Sequence, residues 1–133
     1  MNKNTLGRLL LRIGLGGVFL WFGIDKFVHP DIWVNYIPDW FPMLIPVSTF
    51  ILLMGVVETL VGLFTLIGFY TRTSAVIAAL MLIPILVSLG YNEIGVRDFG
   101  ILLLAVGIAA LGAGDFSLDA QILKTREHVH ENW

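Results

Sequence analysis

Hydrophobic positions fall into four long runs, and the polar positions mark where each run ends. The runs cover about residues 6–28, 47–69, 73–89 and 97–113. At about 1.5 Å per residue, helices of these lengths extend roughly 25–34 Å, close to the ~30 Å hydrocarbon core of a bilayer. The pattern predicts an all-α fold, a four-transmembrane-helix bundle forming one membrane domain over residues 1–133. Between the first two runs lies PDIWVNYIPDWFPMLIP, residues 30–46, with four prolines among Trp33, Tyr36, Trp40 and Phe41. The prolines oppose a continuous helix, and tryptophan and tyrosine favour the membrane interface. This segment is expected to be an aromatic hairpin or broken helix, interfacial or re-entrant, between helices 1 and 2. Residues 114–133 form a polar tail. In it Asp115 or Ser117 is placed to cap a short helix, with Asp119 in its first turn.

Polar residues inside the runs change the picture most. The second run, VSTFILLMGVVETLVGLFTLIGF, carries one ionisable side chain, Glu58, near its centre. An ionised carboxylate at that depth costs at least ~2.5 to 3.5 kcal/mol on insertion scales, so Glu58 is expected to face other helices. Arg12 lies about two turns into the first run, and helix rise places the two at depths of roughly 9 and 16 Å from the same end. That predicts a buried polar centre of Glu58 and Arg12, bridged by their long side chains. An unpaired Glu58 would instead favour its neutral form and carry a proton. Small residues at Gly14, Gly16, Gly17 and Gly23, at Ser74, Ala75, Ala78 and Ala79, and at Gly100, Gly107 and Gly114 suit close helix packing in lipid. Pro84 is expected to kink the third helix.

Composition agrees with a membrane chain: 57% hydrophobic and 14% charged residues, against about 25% charged in soluble domains. The net charge of −2 gives no basic excess that would point to nucleic acid. With no cysteine, the chain itself holds no thiol redox centre, disulfide or thiolate metal site. Residues 1–28 start basic, but the apolar run is too long for a cleaved signal and no small-residue cleavage site follows. With both termini in the cytoplasm, Lys3, Arg8, Arg12, Arg72, Lys124 and Arg126 lie inside, and Lys26 and Arg97 outside. The positive-inside rule favours that orientation, in a bacterial-type cytoplasmic (inner) membrane.

A second polar group gathers at the opposite ends of the first and fourth runs. Asp25 and Lys26, with Arg97 and Asp98 from the loop expected at 90–98, form either ordinary interfacial ion pairs or a polar gate. Such a gate, with Trp33 and Trp40 nearby, would receive a headgroup such as a quinone carbonyl. His29 lies at the membrane edge, and His128 and His130 lie on the tail. No histidine occupies the middle of a run, which opposes a bis-histidine haem, and no metal site is expected. No glycine-rich phosphate loop, zinc helix or serine-nucleophile motif is present. The residues leave three functional classes open: a redox-linked membrane subunit, a small proton-coupled transporter using Glu58, and a non-catalytic scaffold that binds a partner or homo-oligomerises.

The first run, LLRIGLGGVFLWFGIDKF, carries Arg12, Gly16, Phe19, Gly23, Lys26 and Phe27. Glu58 is followed by Gly62, Gly68 and Arg72. YNEIGVRDFGILLL supplies Gly95 and Asp98, and LGAGDFSLDA supplies Gly112, Gly114, Ser117 and Asp119. In these four segments, taken in order, the chain resembles the DoxX family of small membrane proteins, over about residues 8–120. The resemblance implies a four-helix membrane bundle linked to quinone-coupled or redox-stress complexes. Some relatives look like the membrane subunit of a thiosulfate:quinone oxidoreductase, and others are associated with protection from reactive quinones or oxidants. Without cysteine this chain would be at most a non-thiol subunit. It would supply quinone contact while a soluble or membrane redox partner held any sulfur or metal.

Overall fold

The computed structural model describes residues 3–37 and 44–130. Trp40, assigned above to the aromatic segment, lies outside the described residues, as do the side chains of Arg126, His128 and His130. The described chain forms α1 (Lys3–Val28), α2 (Pro30–Val34), α3 (Val47–Ile67), α4 (Thr71–Leu89), α5 (Glu93–Leu111) and α6 (Leu118–His130). Of these, α1, α3, α4 and α5 are long and apolar enough to cross a membrane.

Each long helix presents one narrow seam to the bundle. In α1 the buried positions include Arg12, Gly16, Phe19, Gly23 and Lys26, and in α3 Ile51, Gly55, Glu58, Gly62 and Thr65. Alternating steps of four and three give a period of 3.5, the repeat that keeps one stripe facing a slightly tilted partner. The same steps run through Thr71, Ala75, Ala78 and Leu82 of α4. The remaining helix surface is apolar and exposed, at Leu10, Trp21, Leu80 and Val87 for example, as a lipid-facing surface must be.

Two glycine pairs set the distance between α1 and α3. A Cβ on Gly16 would meet the Gly62 carbonyl at 2.9 Å, and one on Gly23 would meet the Thr59 backbone nitrogen at 2.5 Å. Gly16 opposes Gly62 while Gly23 opposes Gly55 and Thr59, so the helices run antiparallel with backbones nearly touching. By contrast, Gly17, Gly100 and Gly107 have open space where a side chain would sit. The seven-residue glycine spacing in α5 therefore does not serve packing inside this chain. In α4 and α5 the close approach comes from Ala75, Ala78 and Ala105, all fully buried.

The ends differ in part from the pattern-based expectation. The fourth span begins at Glu93 because Asn92 caps it, its side chain accepting the Gly95 N–H at 2.8 Å. Arg97 and Asp98 therefore stand on the helix, not in a loop. At the end carrying the chain termini, Ser117 caps α6 through the Ala120 N–H. Asp119 instead reaches across to α4, where its carboxylate accepts the Tyr70 and Thr71 backbone N–H groups at 2.8 and 3.0 Å. Its own N–H donates to the Gly68 carbonyl. The tail helix is thus fixed to the α3–α4 turn.

Candidate functional site

The position of Lys26 follows from helix geometry. Its Cβ lies 3.1 Å from where a Cβ on Gly55 would be, so Lys26 is level with Gly55 and Glu58 lies nearly one turn deeper. Side chains lean toward the N-terminus of their own helix. In an antiparallel pair, Lys26 on α1 therefore leans inward and Glu58 on α3 leans outward, and the two converge. Lys26 Nζ donates to Glu58 Oε2 at 2.6 Å, with side chains only 9% and 7% exposed.

The same rule corrects the expected partner of Glu58. Arg12 leans away from the bilayer centre toward the terminal end, while Glu58 leans the other way. Arg12 is buried, as expected of a residue at that depth, but pairs with backbone. Its Nε donates to the Thr65 carbonyl and its Nη2 to that of Leu66, at 3.0 and 2.6 Å. Its Nη1 donates to the carbonyls of Ala113 and Phe116, at 3.1 and 2.6 Å. These include orphan carbonyls at the end of α3. Gly68, in the left-handed region at φ 73°, leaves the space that the guanidinium fills. Arg12 is a clasp joining α1, α3 and the α5–α6 connection, at the opposite end from Lys26.

Above the ion pair sits Trp33 of α2. Its ring centroid lies 3.7 Å from Lys26 Nζ, a cation–π arrangement that offsets part of the cost of burying the ammonium. The indole N–H donates to Asp25 Oδ2 at 2.9 Å, and Asp25 Oδ1 lies 2.8 Å from His29 Nδ1. Phe22 meets the indole edge-on at 5.5 Å. Asp25 therefore anchors the aromatic cover and pairs with His29, while Arg97 and Asp98 pair with each other.

Beneath this cover is a cavity of about 270 Å³ among α1, α3, α4 and α5. Its walls are largely apolar, with Phe19, Met54, Leu82 and Pro84 among them. Lys26 and Glu58 supply one polar wall. On another side are Arg97 and Asp98, joined at 2.8 Å, with Asp98 on the buried face of α5. Arg97 also lies 5.5 Å from the Phe22 ring. The volume is slightly below the usual ~300 Å³ lower bound for small-molecule pockets. It fits a single ring system whose remainder extends toward lipid or solvent.

Of the residues singled out from the sequence, Lys26, Glu58, Trp33, Arg97 and Asp98 line this one cavity. Tyr36 of the aromatic segment lines it too, and so do Phe22, Met54 and Ser88, which carried no distinguishing signal. Such apolar and singly polar side chains are indistinguishable from lipid-facing ones until the helix faces are known.

Four membrane-length helices enclosing a cavity with a buried ion pair in its wall define a small multi-pass membrane protein. The chain belongs to the DoxX family, whose sequence model matches residues 7–90. That stretch holds most of α1, all of α2 to α4 and both halves of the Lys26–Glu58 pair; α5 and α6 lie beyond it. The chain matches no curated protein and no solved structure.

Proposed function

We propose that the protein binds the head of a quinone-type molecule in the cavity beneath Trp33 and serves as the membrane subunit of a redox system. One observation carries this reading: a buried lysine–glutamate pair forms the polar wall of a largely apolar cavity. A flat apolar ring fits such walls, and Lys26 offers N–H donors to a carbonyl that would otherwise enter the site unpaired. Arg97 offers a second donor set from the other side. No covalently held cofactor is part of this reading; the quinone is an exchangeable ligand, and electrons come from a soluble or membrane partner.

The chain's basic residues favour the cytoplasmic membrane with both termini in the cytoplasm, which sets the cavity near the outer leaflet. Gly100 and Gly107, each with open space where a side chain would sit, leave room on α5 for a second copy or a partner helix. A second reading, exchange of a proton for a cationic substrate at Glu58, draws on the same carboxylate lining the cavity. It requires Lys26 to release Glu58 in each cycle.

Titration of the purified protein in nanodiscs with 1,4-naphthoquinone tests the first reading. Saturable binding that weakens at least tenfold in Trp33→Ala and Arg97→Ala is expected. Non-saturable partitioning, equal in all three proteins, would overturn it.

A further inference from the structure

The ion pair is half-satisfied, and the unsatisfied half selects the ligand. Glu58 Oε2 accepts from Lys26 Nζ, but Oε1 accepts no hydrogen bond among the described residues, although the side chain is buried and lines the cavity. A carboxylate oxygen accepts and cannot donate. The ammonium has three N–H groups: one serves Glu58 and the face of Trp33 takes up another, leaving a donor. The polar wall therefore presents one acceptor beside one donor. Exchanging the proton within the pair does not alter this, because Oε1 is then a carbonyl-type oxygen and still accepts.

We infer that the cavity prefers a ring bearing a hydroxyl over the same ring bearing only carbonyls, so that a hydroquinone or phenol binds more tightly than the corresponding quinone. This rests on the quinone-head reading above and adds its preferred form. A hydroxyl can donate to Glu58 Oε1 and accept from Lys26 at once. A quinone carbonyl can only accept; it satisfies Lys26 and leaves Oε1 buried, stripped of water and unpaired, the arrangement that costs most. Because the reduced form is favoured, the bound couple is easier to reduce than the free one, by about 30 mV for each tenfold of preference in a two-electron couple. That favours delivery of the partner's electrons to the bound ring.

Anaerobic titration of the protein in nanodiscs with 1,4-naphthoquinone and with its dihydroxy form tests this directly. The dihydroxy form is expected to bind about tenfold more tightly or better, the usual scale for a hydrogen bond to a charged acceptor. In Glu58→Gln the preference should reverse: the amide oxygen takes the Lys26 hydrogen bond, and the amide N–H groups turn to the cavity and suit a carbonyl. A wild-type comparison needs no variant to fold. 1-Naphthol should bind about tenfold more tightly than 1-methoxynaphthalene, which keeps the ring and the acceptor but loses the donor. Equal affinities, or tighter binding of the quinone and the ether, would overturn the preference while leaving the quinone-head reading in place. Saturable binding of none of the four probes would overturn both.

Discussion

Lys26 Nζ stands 2.6 Å from Glu58 Oε2, directly beneath the Trp33 ring, with both side chains more than nine-tenths buried. The pair exists because α1 and α3 are antiparallel and lean their side chains in opposite directions. In a low-dielectric bundle, removing one partner leaves an uncompensated charge. Lys26→Met alone should destabilise the protein by about 3–5 kcal/mol, and Lys26→Met with Glu58→Met should recover most of that loss. Thermal unfolding in detergent checks this. A double variant no better than the single one would mean that the pair does not determine stability.

Glycine substitutions should separate packing sites from open ones. In Gly62→Ala the new methyl would run into the Leu20 backbone and the Gly16 carbonyl, and backbone cannot yield as a side-chain tip does. A loss of about 1–3 kcal/mol or more is expected. Gly17→Ala and Gly107→Ala meet nothing within 4 Å and should be neutral or gain up to ~1 kcal/mol from helix propensity. The same unfolding assay ranks all three.

Arg12→Lys should not be conservative. A lysine presents a single nitrogen, whereas the guanidinium donates from three nitrogens to four carbonyls on two parts of the chain. About 2–4 kcal/mol should be lost, at roughly 1.5–3 kcal/mol for each hydrogen bond to a charged group with partial replacement by the ammonium. Equal stability of the variant would show that the clasp is unnecessary.

Asp119→Ala should free the tail helix before it affects the bundle. It removes the acceptor for the Tyr70 and Thr71 N–H groups, a cap worth about 0.5–2 kcal/mol. Hydrogen exchange is expected to quicken in α6 and the first turn of α4 and to stay slow in α1 and α3. Uniform protection across the chain would contradict that division.

Much of the architecture was legible because lipid imposes few solutions. The four runs match four membrane-length helices, and the α3 start at Val47 was set by Pro46. That Glu58 had to be sheltered also followed from its depth. Which cation shelters it did not, because depth along a helix axis ignores the lean of the side chain. Arg12 and Glu58 look within reach by rise alone, yet they lean apart. The seat of Lys26 was in principle readable from the four-three spacing of Arg12, Gly16, Phe19, Gly23 and Lys26, which puts all five on one stripe. The helical placement of Arg97 and Asp98 was carried by Asn92, a capping residue three before Gly95. The role of Trp33 had no sequence signal beyond its type, since an interfacial anchor and a cavity cover are the same residue until α2 folds back over Lys26.

The measurement closest to the central claim is 1,4-naphthoquinone binding to the Lys26→Met and Glu58→Met double variant, compared with the wild type. The pair is removed without stranding a charge, so the fold is retained while the polar wall of the cavity is lost. Saturable binding by the wild type and its loss in a folded double variant are predicted. Binding of equal affinity in both proteins would contradict the claim that Lys26 and Glu58 form the recognition wall.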